Sequence, residues 1–330
     1  MSGWDDGPVL VTGAGGFIGS HLTEYLVSQG VKVRVFLHYN SRNDPGLLAD
    51  VPADVLSGVD KHFGDLRDSD TVRRASKGTS CIFNLGALIG IPYSYQSPRD
   101  VVDTNVIGTL NVLEAARENG VGRMIQISTS EVYGTAIYAP IDEKHPLQGQ
   151  SPYSASKIGA EKLAESFYRS FELPVTVIRP FNNFGPRQST RALIPTVISQ
   201  ALAGGELQLG SLAPKRDFTY VADTVRGFAA VAGSEAAVGE TVNLGTGTEV
   251  SIGDVVNMVS KLLGRELAVR EDAQRIRPKA SEVGRLLCDA SKAAELCGWK
   301  AEVGLEEGLR RVIAWMEPNL ARFQPRVYGV

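Results

Sequence analysis

The sequence predicts an α/β protein, a doubly wound parallel sheet with a smaller, interleaved C-terminal lobe. Three observations carry this. Short β-branched runs alternate with helix-length amphipathic stretches through the first half, a glycine-rich turn joins the first run to the first stretch, and the rhythm changes after Pro180. A helix between two strands returns the chain in the same direction, so such strands pair in parallel and the helices cover the sheet.

Taken in order, Val9 to Thr12 reads as a strand, Ile18 to Ser28 as a helix and Val31 to Leu37 as the second strand. Further strands are expected at His62-Phe63, Cys81 to Leu85, Arg123 to Ser128 and Val175 to Arg179. Helices are expected near Asp68 to Ala75, Val101 to Asn119 and Ser154 to Phe171. Asn182 to Thr190 reads as a polar, turn-rich connection before a helix from about Ala192 to Ala203. Residues 1–180 are therefore expected to form mainly one lobe and 181–330 mainly the other, with segments near 221–245 returning to the first.

The charge balance, 34 Lys and Arg against 37 Asp and Glu in 330 residues, gives a net charge of -3 and argues against a broad basic face for nucleic acid. Apolar runs such as Pro8-Val9-Leu10-Val11 fall far short of the roughly 20 residues a membrane helix needs. Met1 to Gly7 contains Asp5 and Asp6 and lacks a basic flank, so it does not read as a signal peptide. Cys81, Cys288 and Cys297 are too scattered for a disulfide framework, which points to a reducing, cytoplasmic setting. The four histidines show no ligand spacing with these cysteines, and no metal is expected.

Gly13, Gly16 and Gly19 form Gly-x-x-Gly-x-x-Gly between the first strand and the first helix. The pattern permits a tight turn and lets a pyrophosphate approach the helix N-terminus, where a side chain would fill the phosphate volume. A dinucleotide is expected here. Phe17 and Ile18 lie in the same turn and count as cofactor-binding positions, although their side chains are expected to pack the helix onto the sheet. After the second strand, Asn40-Ser41-Arg42 are expected cofactor contacts, with no carboxylate for the adenosine ribose, so NAD is expected but NADP stays open. Asp65-Leu66 is placed to approach adenine, while an Asp before a helix is equally an ordinary cap.

Tyr153 and Lys157, four residues apart at a helix start, share one face, where an ammonium can stabilise a tyrosinate. Ser128-Thr129-Ser130-Glu131 at a strand end adds hydroxyls and a carboxylate near the C-terminal edge of the sheet.

With these motifs in place, the chain resembles an extended short-chain dehydrogenase/reductase, in the branch of NAD-dependent nucleotide-sugar epimerases and dehydratases. The likeness runs from the glycine loop through Ser128 to Gly134, Ser151 to Lys157, Arg179 to Arg187, Arg216 to Val221 and Asn243 to Gly247. It implies a Rossmann-type fold, a substrate-binding C-terminal lobe, a nucleotide diphosphate sugar as substrate and a homodimer. The helices holding Val106, Leu110 and Leu113 and Leu163, Phe167 and Phe171 would pair with their copies, although in a monomer they would simply cover the sheet.

Within that resemblance Tyr153 takes the proton of the sugar 4-hydroxyl, Thr129 holds that hydroxyl and Lys157 lowers the tyrosine pKa. In a 4,6-dehydratase Glu131 removes the C5 proton and protonates the departing 6-hydroxyl. Leu85, Ala87, Asn105 and Pro180 join Tyr153 and Lys157 among the expected cofactor contacts. Ser94, Asn182, Arg191, Arg216 and Arg277 are the expected substrate contacts, though any of these arginines could instead form a surface ion pair. Leu88 to Tyr95 and Arg275 to Val283 resemble bacterial nucleotide-activated N-acetylglucosamine 4,6-dehydratases, so UDP- or GDP-N-acetylglucosamine is the expected substrate. A 4-epimerase and a nucleotide-uronic-acid decarboxylase are the alternative outcomes of the same first oxidation.

Overall fold

A computed structural model describes residues 7–276, 278, 280–325 and 327. Its strands are β1 (Val9–Thr12), β2 (Val33–His38), β3 (Asp60–Gly64), β4 (Cys81–Asn84), β5 (Arg123–Ile127), β6 (Val175–Pro180), β7 (Asn182–Phe184), β8 (Leu207–Leu209), β9 (Lys215–Tyr220), β10 (Thr241–Leu244), β11 (Glu249–Ser251) and β12 (Val269–Glu271). Seven of them form one parallel sheet in the order β10-β6-β5-β4-β1-β2-β3. The order reverses between β1 and β4, which opens a crevice at their C-terminal ends, the usual ligand position in a Rossmann-type sheet.

Alternation along each strand builds a core on both faces. Val9 and Val11 join the helices Phe17–Ser28 and Val221–Ala232 on one side. Leu10, Ile82 and Met124 join the helices Ser69–Ser76, Gly108–Glu118 and Pro152–Phe171 on the other. After Val221–Ala232 the chain re-enters the main sheet as β10, paired with β6 at its edge.

The C-terminal lobe has its own core, in which Phe184, Phe218 and Tyr220 meet the helices Leu193–Ala203, Ile252–Leu263 and Leu305–Asn319. Here the structure corrects the sequence reading. Asn182–Phe184, expected as a connection, is a strand pairing in parallel with β9, in a three-stranded sheet ordered β11-β9-β7. Two asparagines give no β-pattern, and the partner that makes this strand lies more than thirty residues on. The helix expected at Val101 to Asn119 starts earlier, at Pro98, and contains a π-turn over Asp103–Ile107. Among the described residues no helix is long and apolar enough to cross a membrane.

Candidate active site

The glycine loop sits at the β1 end of the crevice. Gly13 has a left-handed φ of 67°, and a Cβ there would lie 2.8 Å from the Gly86 Cα, so at this point the turn after β1 and the segment after β4 meet backbone to backbone. A Cβ at Gly19 would meet the Gly13 carbonyl oxygen at 2.2 Å. The helix that follows begins at Gly16 with no side-chain cap and no acidic residue in its first turn, which leaves its N-terminal amides open to an anion. A dinucleotide pyrophosphate fits this end by that chemistry. Phe17 and Ile18 pack partly against the core.

The floor of the crevice is fixed by polar contacts. The Thr12 hydroxyl donates to Asn84 Oδ1 at 2.7 Å and accepts from the Gly86 amide at 3.0 Å. Asn105, inside the π-turn, uses its whole amide: it accepts from the Leu88 N–H at 2.8 Å and donates to the Leu88 carbonyl and the Ser156 hydroxyl, both at 2.9 Å. It thereby ties the Leu85-to-Leu88 segment, with Ala87, to the helix bearing Tyr153 and Lys157. A π-turn at such a position re-aims one side chain that a regular helix would place elsewhere.

On the adenosine side, Asn40 closes its own loop, accepting from the Asp44 amide at 2.8 Å and donating to the Asp44 carbonyl at 2.9 Å, and Ser41 and Arg42 are exposed. Asp65 does not cap the next helix. Asp68 does, accepting from Asp70 and Thr71. The Asp65 carboxylate instead grips Arg67 at 2.6 Å, and that hydrogen bond holds its pKa below the usual carboxylate range. Leu66 touches the crevice floor, since a Cβ on Gly86 would come within 2.4 Å of its Cδ1.

Beyond β5 the chain turns through Ser130–Tyr133, capped by Thr129, whose hydroxyl accepts from the Glu131 amide at 3.2 Å. The long helix starts at Pro152 because Ser151 and Ser154 form a reciprocal capping box with proline in the first turn. Tyr153 is thus delivered one residue inside a fixed helix start. Its ring is buried, and burial pushes the phenol pKa up, with the Thr129 hydroxyl lowering it and the Glu131 carboxylate raising it. Thr129, Glu131 and Tyr153 therefore converge. Lys157, one turn further, is buried and donates to the Ile127 carbonyl at 2.6 Å. Burial brings its pKa down to about 8, opposed by Glu161. The Ser128 hydroxyl, beside them, is buried with no hydrogen-bond partner among the described residues, a polar atom left for a ligand.

The expected substrate contacts are distributed less evenly. Asn182 and Arg216 share one face of the small sheet, because Asn182 stands opposite Phe218 in register and Arg216 lies two residues before it. Asn182 Oδ1 is buried without a hydrogen-bond partner among the described residues, and the Arg216 Nη2 lies 3.3 Å from Glu282. Ser94 is fully buried and donates to the Ile91 carbonyl at 2.7 Å. Pro180 is buried at the end of β6, and Arg191 is exposed. Arg277 lies outside the described residues. Among the described residues no group of three His, Cys, Asp or Glu could hold a metal ion.

The family profile described as GDP-mannose 4,6 dehydratase matches residues 10–312. The chain belongs to that family. It is 32% identical to the dTDP-glucose 4,6-dehydratase of Streptomyces antibioticus over 325 residues, covering 96% of this chain and 94% of that protein. It is 31% identical to the UDP-glucose 4-epimerase of Mycolicibacterium smegmatis, covering 92% and 96%. In structure it resembles DesIV, a dTDP-glucose 4,6-dehydratase from Streptomyces venezuelae with NAD and TYD bound, with a TM-score of 0.86, 31% identity and coverage of 96% and 99%. These similarities establish a nucleotide-sugar dehydratase/epimerase family member with a Rossmann-type fold.

Proposed function

We propose that this protein is an NAD-dependent nucleotide-sugar 4,6-dehydratase. The observation that carries the reading is the convergence of Thr129 and Glu131 on the buried Tyr153 phenol, with Lys157 one turn behind. NAD, when bound, would supply a reversible hydride acceptor: the hydride taken from C4 would return to C6 after water is lost, which makes the 6-methyl group and leaves the cofactor oxidised. Gly13, Gly16 and Gly19 would hold its pyrophosphate, and the fit rests on the uncapped helix end and the DesIV likeness.

Tyr153 accepts the proton of the sugar 4-hydroxyl, and Thr129 orients that hydroxyl. Tyr153 acts as the phenolate: its own proton is lost to solvent before the 4-hydroxyl proton arrives, a loss that burial opposes by raising its pKa and that the Lys157 ammonium favours by stabilising the anion. The resulting ketone at C4 acidifies C5. Glu131 then removes the C5 proton and returns a proton to the departing 6-hydroxyl, so one carboxylate serves both halves of the elimination. Asn182 and Arg216 receive the diphosphate from the opposite lobe.

An epimerase would use Tyr153 and Thr129 in the same way but leave Glu131 without a chemical task, and the 31% identity to a UDP-glucose 4-epimerase supports that second reading. Glu131→Gln separates them. In rapid-mixing absorbance experiments it should leave the first reduction of bound cofactor within a few-fold of wild type while slowing release of water by about 10²-fold or more. Unchanged dehydration in the variant removes Glu131 from the mechanism. The relatives above are named for glucose nucleotides, while the likeness of two segments points to UDP- or GDP-N-acetylglucosamine, so the substrate panel contains both.

A further inference from the structure

One turn past Lys157, the same helix carries a carboxylate that the dehydration chemistry does not use. Glu161 is 3% exposed and makes a two-point ion pair with the equally buried Arg179 of β6, Nε to Oε1 at 2.9 Å and Nη2 to Oε2 at 2.7 Å. The third guanidinium nitrogen donates to Tyr133 Oη at 2.8 Å, and Tyr133 donates in turn to Asn243 Oδ1 at 2.7 Å. Asn243 is anchored by the Ile141 carbonyl at 3.1 Å. Taking two charges out of water is costly, and replacing such a buried pair by apolar residues of similar volume is often neutral or stabilising. Packing alone does not account for the pair.

Its neighbour does. Residues four apart on a helix face each other, so Glu161 lies against Lys157. The titratable group acting on the Lys157 ammonium is Glu161 on its own helix, and Arg179 of β6 reaches it through Glu161 and also holds Tyr133 on the turn after β5, while Tyr153 on the same helix feels Glu131 of that turn. Among these, Glu161 is the one whose charge opposes the loss of the lysine proton.

We propose that Glu161, held by Arg179, is a positioning residue that keeps the buried Lys157 ammonium charged within the site. The inference rests on the reading of Lys157 as the site lysine. It extends the catalytic unit from the helix start to β6 and β10, through Arg179 and Asn243.

The test is a pH titration of the intact enzyme labelled with [6-13C]lysine, in which the Lys157 resonance is identified by its loss in Lys157→Met. Glu161→Gln leaves Arg179 buried and unpaired and is prone to unfold, so the informative variant is Glu161→Leu with Arg179→Met, which removes both charges at similar volume. The Lys157 midpoint should fall by about one pH unit or more in this double variant, and the single variant Glu161→Asp, which keeps both charges, should hold it near the wild-type value. A folded double variant with an unmoved midpoint overturns the proposal and leaves the pair a structural clamp. Failure of the underlying reading shows separately, as undiminished reduction of bound cofactor by dTDP-glucose or UDP-glucose in Lys157→Met.

Discussion

His21 shows how closely the two halves of the molecule are joined at single residues. It sits on the helix that starts at the glycine loop, and its ring contacts Arg187, whose guanidinium also pairs with Glu24 at 2.5 Å. Arg187 adopts a left-handed φ of 69° to reach it, which brings the loop after β7 against the cofactor-side helix. Burial, and then the Arg187 charge, push the His21 pKa down to about 4. The folded form thus refuses a proton that the unfolded chain takes near 6.5, so stability contributed by neutral His21 is lost as pH falls through that interval. Between pH 7 and pH 4.5, wild type should lose on the order of 2–3 kcal/mol more unfolding free energy than His21→Gln. Parallel denaturant curves for the two proteins across that range contradict this.

At the scale of elements, the start of the long helix governs the site, because Tyr153 lies one residue beyond the first helical position. Ser151→Ala removes the side-chain half of the capping box and should cost about 1 kcal/mol, read as a lower thermal midpoint. The same variant should slow reduction of bound cofactor more than it weakens cofactor binding, since it frees the tyrosine rather than the glycine loop. This stretch was legible in the sequence because its information is local: a glycine turn and a Tyr-x-x-x-Lys pair each fit within two helical turns. The strand at Asn182 was not, since its identity comes from β9. Nor was the Glu161 role, whose one signal is its i+4 spacing from Lys157, while its partner Arg179 arrives from another strand. The alternative for Asp65, an ordinary helix cap, was settled beyond its own position, since three residues later Asp68 is better placed and the Asp65 carboxylate turns to Arg67.

For the whole molecule, the two long helices on the β5 side of the sheet leave apolar side chains in water, among them Val102 at 42%, Ile107 at 43% and Phe171 at 48% exposure. An apolar face of this kind suits burial against a second copy. We propose a homodimer through these helices. Light scattering should give twice the chain mass, and Val102→Glu with Phe171→Asp should give the monomer with its cofactor site intact. A wild-type monomer at micromolar concentration contradicts the proposal.

The central claim is the elimination of water after oxidation at C4, and the product itself tests it most directly. Mass and NMR spectra would be recorded after incubation with dTDP-glucose, UDP-glucose, UDP- and GDP-N-acetylglucosamine and UDP-glucuronate. A product lighter by one water with a new 6-methyl signal is the expected result. Unchanged mass with inverted C4 contradicts it, and would make the protein an epimerase in which Glu131 only shapes the pocket.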